Sequence, residues 1–316
     1  MHRRKFLWLN GLFLQGGIAG TTSLEAAGSG GGRTFTLWPL DQDSGLQYYS
    51  VFDNRIYYLQ ANRKSGSYYA GAVDGEGKTS FRFRLPERQY FFLGVLPDGN
   101  LLLQRPGAPL EVMSERGNKL SEWPVQGYAI TQCMAGGKLV RVLASGETET
   151  LSPGQSQGPR SASTVPWLSS ERVALEAISP EQVVAFGRET ARLALLHVST
   201  GAWVEHSISA SEVNNSLAHY ARLRKEAAKT GKPLKTITVQ AMGVDRDSRL
   251  LIMVSPYRVE AAQILRIDTS GTVLDSQTIT LPNRHSPGFK IPWRIASLTQ
   301  GVCVVFLEGG VICNQI

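Results

Sequence analysis

Short apolar runs alternate with tight turns along almost the whole chain. The runs are rich in branched aliphatic and aromatic residues and end at Gly, Pro or Asp/Asn turns, as in Tyr48–Phe52, Asp53-Asn54 and Ile56–Gln60. This spacing predicts strands joined by hairpins. A turn glycine precedes each predicted fourth strand: Gly77, Gly117, Gly158 and Gly201 follow one another at intervals of 40 to 43 residues, and Gly271 comes 70 residues later, after an insertion.

The two ends of the chain carry parts of one repeat. Gly32–Leu40 and Gly117–Val125 both contain a strand-like run that ends in Trp-Pro. The last unit has only three strand-like runs, and Thr34–Trp38 can supply its fourth by pairing with Val311–Asn314. A ring closed in this way has no exposed sheet edge. The sequence therefore predicts an all-β fold, a six-bladed β-propeller whose last blade is closed by the N-terminal strand. A two-sheet sandwich would explain neither the six near-equal units nor the divided copy.

These turn glycines and strand spacings resemble the six-bladed propeller superfamily that includes the NHL-repeat proteins. The resemblance extends over residues 29–316 and implies the fold alone, because the chain carries no catalytic motif of that superfamily. The composition, 42% hydrophobic and 19% charged residues, is that of a folded protein and excludes wholesale disorder.

One insertion, at about 209–235, interrupts the repeat between the fourth and fifth blades. Within it, Ser211–Lys229 has a helical stripe with Leu217 and Tyr220 at its centre. Ser211 is placed to cap the start of this helix, and Gly231 with Pro233 to end it. We favour a helix that packs Leu217 and Tyr220 onto the propeller, and the alternative is a basic lid or docking surface. Because the insertion lies outside the repeat, we also expect it to be dispensable for folding.

Positive charge is concentrated on one predicted surface, the rim formed by the inter-blade loops. The chain has a formal net charge of +7, and much of the excess lies in the insertion, so the remainder is near neutral and the high pI does not indicate nucleic-acid binding. The rim loops supply our candidate ligand-binding residues: Arg63, Arg88, Arg105, Arg258, Arg284, His285 and Lys290.

The first 28 residues have the basic, apolar and small-residue order of an export signal. Arg3, Arg4, Phe6 and Leu7 lie in the string Arg-Arg-Lys-Phe-Leu, which resembles the twin-arginine signal of bacteria. The resemblance implies a bacterial protein that is periplasmic or secreted after cleavage near Gly28. An uncleaved N-terminal anchor helix is the alternative, but the run is short and rich in glycine.

No recognised catalytic or metal-binding spacing appears among the histidines, serines and carboxylates. On the innermost strands the predicted polar residues are Gln132, Glu176 and Gln240, and a single carboxylate makes a poor calcium site. We therefore predict no metal and no cofactor. Cys133, Cys303 and Cys313 lie in apolar strands, and a two-residue turn at Glu308-Gly309 would pair Val304 with Cys313, which predicts three buried free thiols.

Two functions remain open from the sequence. The first is an exported, non-catalytic propeller that binds an unknown protein or anionic ligand on its rim, without nucleic acid and without a membrane span after signal removal. The alternative is a propeller hydrolase or lyase with its site at the channel mouth. Three or more carboxylates or histidines converging in the channel would favour the enzyme, and an apolar, plugged channel would favour the binding protein.

Overall fold

The chain forms six small antiparallel sheets arranged in a ring, so the prediction of a six-bladed β-propeller is confirmed. The computed structural model describes residues 34–39, 43–86, 89–162, 165–231, 239–254, 261–280, 292–299, 301–306 and 310–314.

The first three blades follow one another along the chain, after the separate strand β1 (Thr34–Pro39). Their strands are β2 (Ser44–Phe52), β3 (Arg55–Asn62), β4 (Tyr68–Asp74) and β5 (Thr79–Arg84); β6 (Phe92–Val95), β7 (Leu101–Gln104), β8 (Leu110–Met113) and β9 (Lys119–Trp123); β10 (Ala129–Ala135), β11 (Lys138–Leu143), β12 (Glu147–Leu151) and β13 (Arg160–Ala162).

The remaining blades include the helix α1 (Ser211–Lys229), which lies between the fourth and fifth. A short 3₁₀ turn, Pro166–Ser169, precedes the fourth blade. The strands are β14 (Val173–Ser179), β15 (Gln182–Gly187), β16 (Arg192–His197) and β17 (Ala202–Ser207); β18 (Val239–Val244), β19 (Leu250–Val254), β20 (Ala261–Ile267) and β21 (Val273–Thr280); β22 (Pro292–Leu298), β23 (Gly301–Phe306) and β24 (Gly310–Asn314).

The strand order gives the ring two different ends. Each blade runs in sequence order from its inner strand outwards, and the inner strands β2, β6, β10, β14, β18 and β22 contact one another in series. The turns between each inner strand and its neighbour therefore lie together at one end of the central channel, which we call the hairpin end. The inter-blade connections lie at the other end, the rim.

The N-terminal strand closes the sixth blade. β1 pairs antiparallel with β24, with Thr34 opposite Asn314 and Trp38 opposite Val311, so the predicted closure is confirmed. Leu37 of β1 is buried in the apolar cluster between the sixth and first blades. The closing strand thus supplies both backbone pairing and core packing.

The hydrophobic core is divided into six clusters, one between each pair of neighbouring blades. The largest joins the fourth and fifth blades through Phe186, Leu193 and Ile252. Because every blade buries both faces against its neighbours, the ring is held by side-chain packing on all sides of the channel.

The predicted turn glycines behave alike with one exception. Gly77 has φ +79° and donates its N–H to the carbonyl oxygen of Asp74, a conformation that favours glycine. Gly117, Gly201 and Gly271 also have positive φ. Gly158 does not, and it is required for a different reason: a Cβ there would collide with the Thr150 carbonyl oxygen.

Helix α1 has the predicted bounds but two different halves. Val213 and Tyr220 are buried, and Val213 belongs to the core cluster of the fourth and fifth blades. After Tyr220 no residue of the helix is buried. The first half is therefore part of the core, which confirms the packing interpretation and argues against the expectation that the insertion is dispensable for folding.

The ends of α1 differ from the prediction at the N-terminus. Ala210 occupies the cap position, and Ser211 is the first helical residue, with its Oγ 3.0 Å from Glu212 Oε2. At the C-terminus, Thr230 donates from its backbone and hydroxyl to Ala227 O, and Gly231 follows with φ +69°. Pro233 lies outside the described residues.

Two of the predicted free thiols are instead joined. Cys303 and Cys313 face each other across β23 and β24, with Cα atoms 3.9 Å apart, and form a disulfide. The prediction was wrong because the pairing register is shifted by one residue: Phe306 pairs with Gly310, so three residues, not two, connect the strands. Cys133 is the free thiol of the described chain.

Candidate functional site

A cavity of about 390 Å³ occupies the hairpin end of the central channel. Its described lining comes from the second halves of the inner strands of blades one to four, their turns, and Arg294 of the sixth blade. Phe52, Pro97, Gly137 and Pro180, at or beside these turns, surround the mouth. The cavity therefore opens on the face opposite the basic rim.

Four chemically active side chains meet at the deep end of this cavity, and we call them the floor: Tyr48, Cys133, Glu176 and Arg294. They come from four different inner strands, β2, β10, β14 and β22. The floor is therefore assembled only when the ring closes.

An ion pair spans the floor. Arg294 Nη1 contacts Glu176 Oε1, which joins the sixth blade to the fourth across the position of the fifth. Arg294 also hydrogen-bonds Tyr48 and lies over the rings of Tyr49 and Tyr48, 5.2 and 6.0 Å from their centroids. The two charged side chains are 14% and 20% exposed, so the pair is accessible from the cavity.

Strand irregularities help to direct these side chains. The pairing register shifts between Leu46 and Tyr48 in β2 and between Pro292 and Arg294 in β22. Such a bulge adds one residue to a strand and turns the following side chain towards the other face. Both bulges lie directly before a floor residue, so they bear on where Tyr48 and Arg294 point.

Burial changes the proton affinities of the floor. It raises the pKa of the Glu176 carboxyl to about 8, whereas the guanidinium in contact with it acts in the opposite direction and favours the ionised form. Burial also raises the pKa values of Tyr48 and of the Cys133 thiol and lowers the pKa of Arg294. Tyr48 and Cys133 are therefore neutral at pH 7, and the charge of the floor is set by Glu176 and Arg294.

Two further polar atoms beside the cavity are buried without a hydrogen-bond partner among the described residues. These are the Tyr49 hydroxyl and Gln132 Oε1, on residues that are 1% and 5% exposed and that line the cavity. The other end of the Gln132 amide is fixed, because Nε2 donates to Gln104 Oε1 at 2.6 Å. A buried polar atom without a partner is costly, and both atoms are closed off from the cavity itself.

The channel was predicted in part. Glu176 and Gln132 were expected on inner strands and line the cavity, whereas the side chain of Gln240 lies outside the described residues. Sequence reasoning missed Arg294 and Tyr48. The available signal was their position, since both lie on an inner strand four residues before the strand's last residue.

The predicted rim residues are not brought together by the part of the chain that the structure describes. Arg105 is held by Glu111, with 2.8 Å between Nη2 and Oε1, and lies over the Tyr90 ring. Arg63 is exposed in the turn between β3 and β4. The remaining candidates lie outside the described residues, as do the four signal residues: Arg88, Arg258, Arg284, His285 and Lys290, and Arg3, Arg4, Phe6 and Leu7.

Within the described ranges, no three His, Cys, Asp or Glu residues form a group that could hold a metal ion. Among the same residues, no helix has the length and apolar character needed to cross a membrane.

No family model and no curated protein matches this sequence. Solved structures match in fold. A streptogramin B lyase has a TM-score of 0.52 at 12% identity, with 90% of this chain and 98% of that one covered. The virginiamycin B lyase from Staphylococcus aureus has a TM-score of 0.50 with the same identity and coverage, and U3-55K has 0.52 at 10% identity over 89% and 84%. At these identities the likeness establishes the propeller fold alone.

Proposed function

We propose that this protein is an exported β-propeller that binds a small ligand, without catalysis, in the cavity at the hairpin end of its channel. The observation that carries the proposal is the accessible floor, where the Glu176–Arg294 pair closes a 390 Å³ cavity. Cavities of this size with a few convergent polar groups are typical ligand sites.

The test is to fill the cavity with a large side chain and to measure whether a bound small molecule is lost. Ser50 lines the cavity and is partly exposed, so Ser50→Trp places a large side chain inside it. We expect native mass spectrometry of protein from its own host to show a bound small molecule on the wild type and none on Ser50→Trp. Lys64→Trp, at an exposed turn, is the control. Equal occupancy in all three proteins would contradict the channel as the binding site.

Export rests on two features. The Arg3-Arg4 signal predicts the route, and a disulfide between Cys303 and Cys313 suits an oxidising compartment. Arg3→Lys with Arg4→Lys keeps the charge but removes the guanidinium pair. We expect this precursor to stay in the cytoplasm when cell fractions are compared, and unchanged periplasmic delivery would point to the general secretory route.

The rim remains a second proposed surface, for an anionic ligand or protein partner. Its support is the second half of α1, where the exposed side chains include Arg222, Arg224, Lys225 and Lys229. Replacing these four residues by Gln removes charge without touching the buried first half. We expect a salt-sensitive partner recovered by crosslinking in the host's periplasm to be lost from this variant.

One observation favours the alternative, an enzyme. A carboxyl whose pKa is raised to about 8 inside a cavity is suited to general acid–base chemistry. Two fold neighbours are lyases by name, but at 12% identity this carries no chemistry. The decisive assay incubates wild type and Glu176→Gln with a panel of lactones and cyclic esters, and turnover by the wild type alone would replace the binding proposal by an enzymatic one.

A further inference from the structure

The floor brings the Glu176 carboxyl and the Arg294 guanidinium into direct contact, and it carries one charge of each sign once Glu176 is ionised, above its pKa of about 8. From this arrangement we infer that the channel ligand, in the function proposed above, is a small zwitterion with an ammonium and a carboxylate close together, such as a free amino acid. The carboxylate would bind Arg294 and the ammonium Glu176, so that the ligand separates the internal pair and satisfies both partners.

The charge balance of the cavity argues for this class. A ligand with a single net charge would leave either Glu176 or Arg294 uncompensated in a largely desolvated site, which is strongly unfavourable. A zwitterion exchanges one internal contact for two charge-assisted contacts and leaves the total charge unchanged. Arg294 also has the planar, forked donor geometry that matches a carboxylate.

The walls suggest an apolar side chain on that ligand. Phe92 packs edge-on against Tyr48 with 5.7 Å between ring centroids, and Phe52 is 38% exposed at the mouth. A ligand with its charged end on the floor would direct its side chain between these rings and Val51. Aromatic pairs of this kind favour an aromatic or large aliphatic side chain.

The test compares three probes that differ only in their charges: L-phenylalanine, 2-phenylethylamine and 3-phenylpropanoate. Calorimetric titration of the mature chain at pH 8.5, where Glu176 is ionised and the amino group of phenylalanine still carries its proton, is expected to show binding of phenylalanine, with each single-charge analogue at least tenfold weaker. Arg294→Met should reduce the affinity for phenylalanine to that for the amine, and Glu176→Gln should reduce it to that for the acid.

A folding control accompanies the variants. If Arg294→Met does not fold, Arg294→Lys replaces it, because lysine keeps the charge but lacks the planar, forked guanidinium. We expect Arg294→Lys to bind phenylalanine at least tenfold more weakly than the wild type does. Lys64 lies in the exposed turn between β3 and β4, away from the floor. We expect Lys64→Gln to bind phenylalanine with the affinity of the wild type.

The outcomes separate this inference from the function it rests on. Equal binding of all three probes, or no binding of phenylalanine at millimolar concentration, overturns the zwitterion. If a molecule is nevertheless displaced from the native protein by Ser50→Trp, the channel remains the binding site and only the ligand class is wrong. If neither a probe nor a native molecule occupies the cavity, both conclusions fall.

Discussion

Two of the ion pairs that join strands differ in what surrounds them. In the third blade, Arg141 and Glu149 are both 0% exposed, with 2.7 Å between Nη1 and Oε2. In the channel, Glu176 and Arg294 are in contact beside an open cavity. The first pair is sealed in the protein, and the second can be reached from solvent.

The hydrogen-bond partners differ in the same way. Arg141 also donates to the carbonyl oxygens of Gln126 and Gly127, and Glu149 accepts from Arg160 at 3.0 Å. Around the channel pair the described structure gives one further hydrogen bond, between Arg294 and Tyr48. A closed, well-connected network fixes a structure, whereas a pair with fewer partners beside a cavity can bind a ligand. We therefore assign the Arg141 pair to stability and the Arg294 pair to function.

The largest expected effect comes from breaking the sealed pair. Arg141→Met leaves the buried Glu149 with two remaining partners, the partly exposed Arg160 and the backbone N–H of Gly158, so we expect the free energy of unfolding to fall by about 3–5 kcal/mol. Urea denaturation measures this. Arg160→Met is the matched control, because Arg160 is 40% exposed and its loss should cost less than about 1 kcal/mol. Equal losses in the two variants would refute the distinction between sealed and open partners.

The pH dependence of stability tests the channel pair next. With a native pKa of about 8 and an ordinary value of 4.5, Glu176 is protonated in both states at low pH. Between pH 4.5 and 8 the unfolded chain loses this proton and the native protein keeps it, so wild-type stability falls as pH rises. Glu176→Gln lacks this penalty.

We expect the stability of Glu176→Gln relative to wild type to increase by about 1–3 kcal/mol from pH 4.5 to 8, less than the full linkage value because the side chain is 20% exposed. Denaturation curves at half-unit intervals of pH provide the measurement. A difference that stays constant would mean that Arg294 keeps the carboxylate ionised throughout.

A double-mutant cycle gives a smaller effect. Arg294→Met and Glu176→Gln each leave one group without its partner, but water from the cavity can solvate it. We expect Arg294→Met to lose about 1–2 kcal/mol, and we expect a coupling of about 1 kcal/mol between the two substitutions above pH 8, where Glu176 is ionised. A coupling as large as that measured for Arg141 with Glu149 would show that the channel pair is a structural element like the first.

The smallest expected effect concerns the reactivity of the cysteine thiols. Cys133 is partly buried at the floor, and its pKa is raised by burial, so we expect it to react with iodoacetamide much more slowly than an exposed thiol at pH 7. Mass spectrometry after unfolding without reductant should show one alkylated cysteine, and three after reduction. Three before reduction would exclude the disulfide.

The fold could be predicted from the sequence because its signals are local and repeated. Turn glycines such as Gly77 and Gly117 have backbone angles that favour glycine, and the divided repeat placed Thr34–Trp38 correctly on the sixth blade. The prediction was wrong where the pairing of two strands depends on the length of the connection between them, to within one residue. A connection longer by one residue changes the partner of Cys313 from Val304 to Cys303.

The site was harder to predict because it depends on distances across the ring. Glu176 could be placed on an inner strand from its repeat position, but its contact with Arg294 joins the fourth and sixth blades across the fifth. That contact depends on the radius of the channel and on bulges next to Tyr48 and Arg294, which leave no mark in the strand pattern.

Ring closure has a consequence for biosynthesis. The ribosome makes the closing strand before the other strands of the ring, yet Thr34 pairs with Asn314, which belongs to β24, the last strand of the ring along the chain. The sixth blade, which carries Arg294 of the floor, therefore cannot be completed until β24 has been made, because its two parts are separated along the chain by all the other blades. The five other blades can form as they emerge, so the cavity is completed only after them.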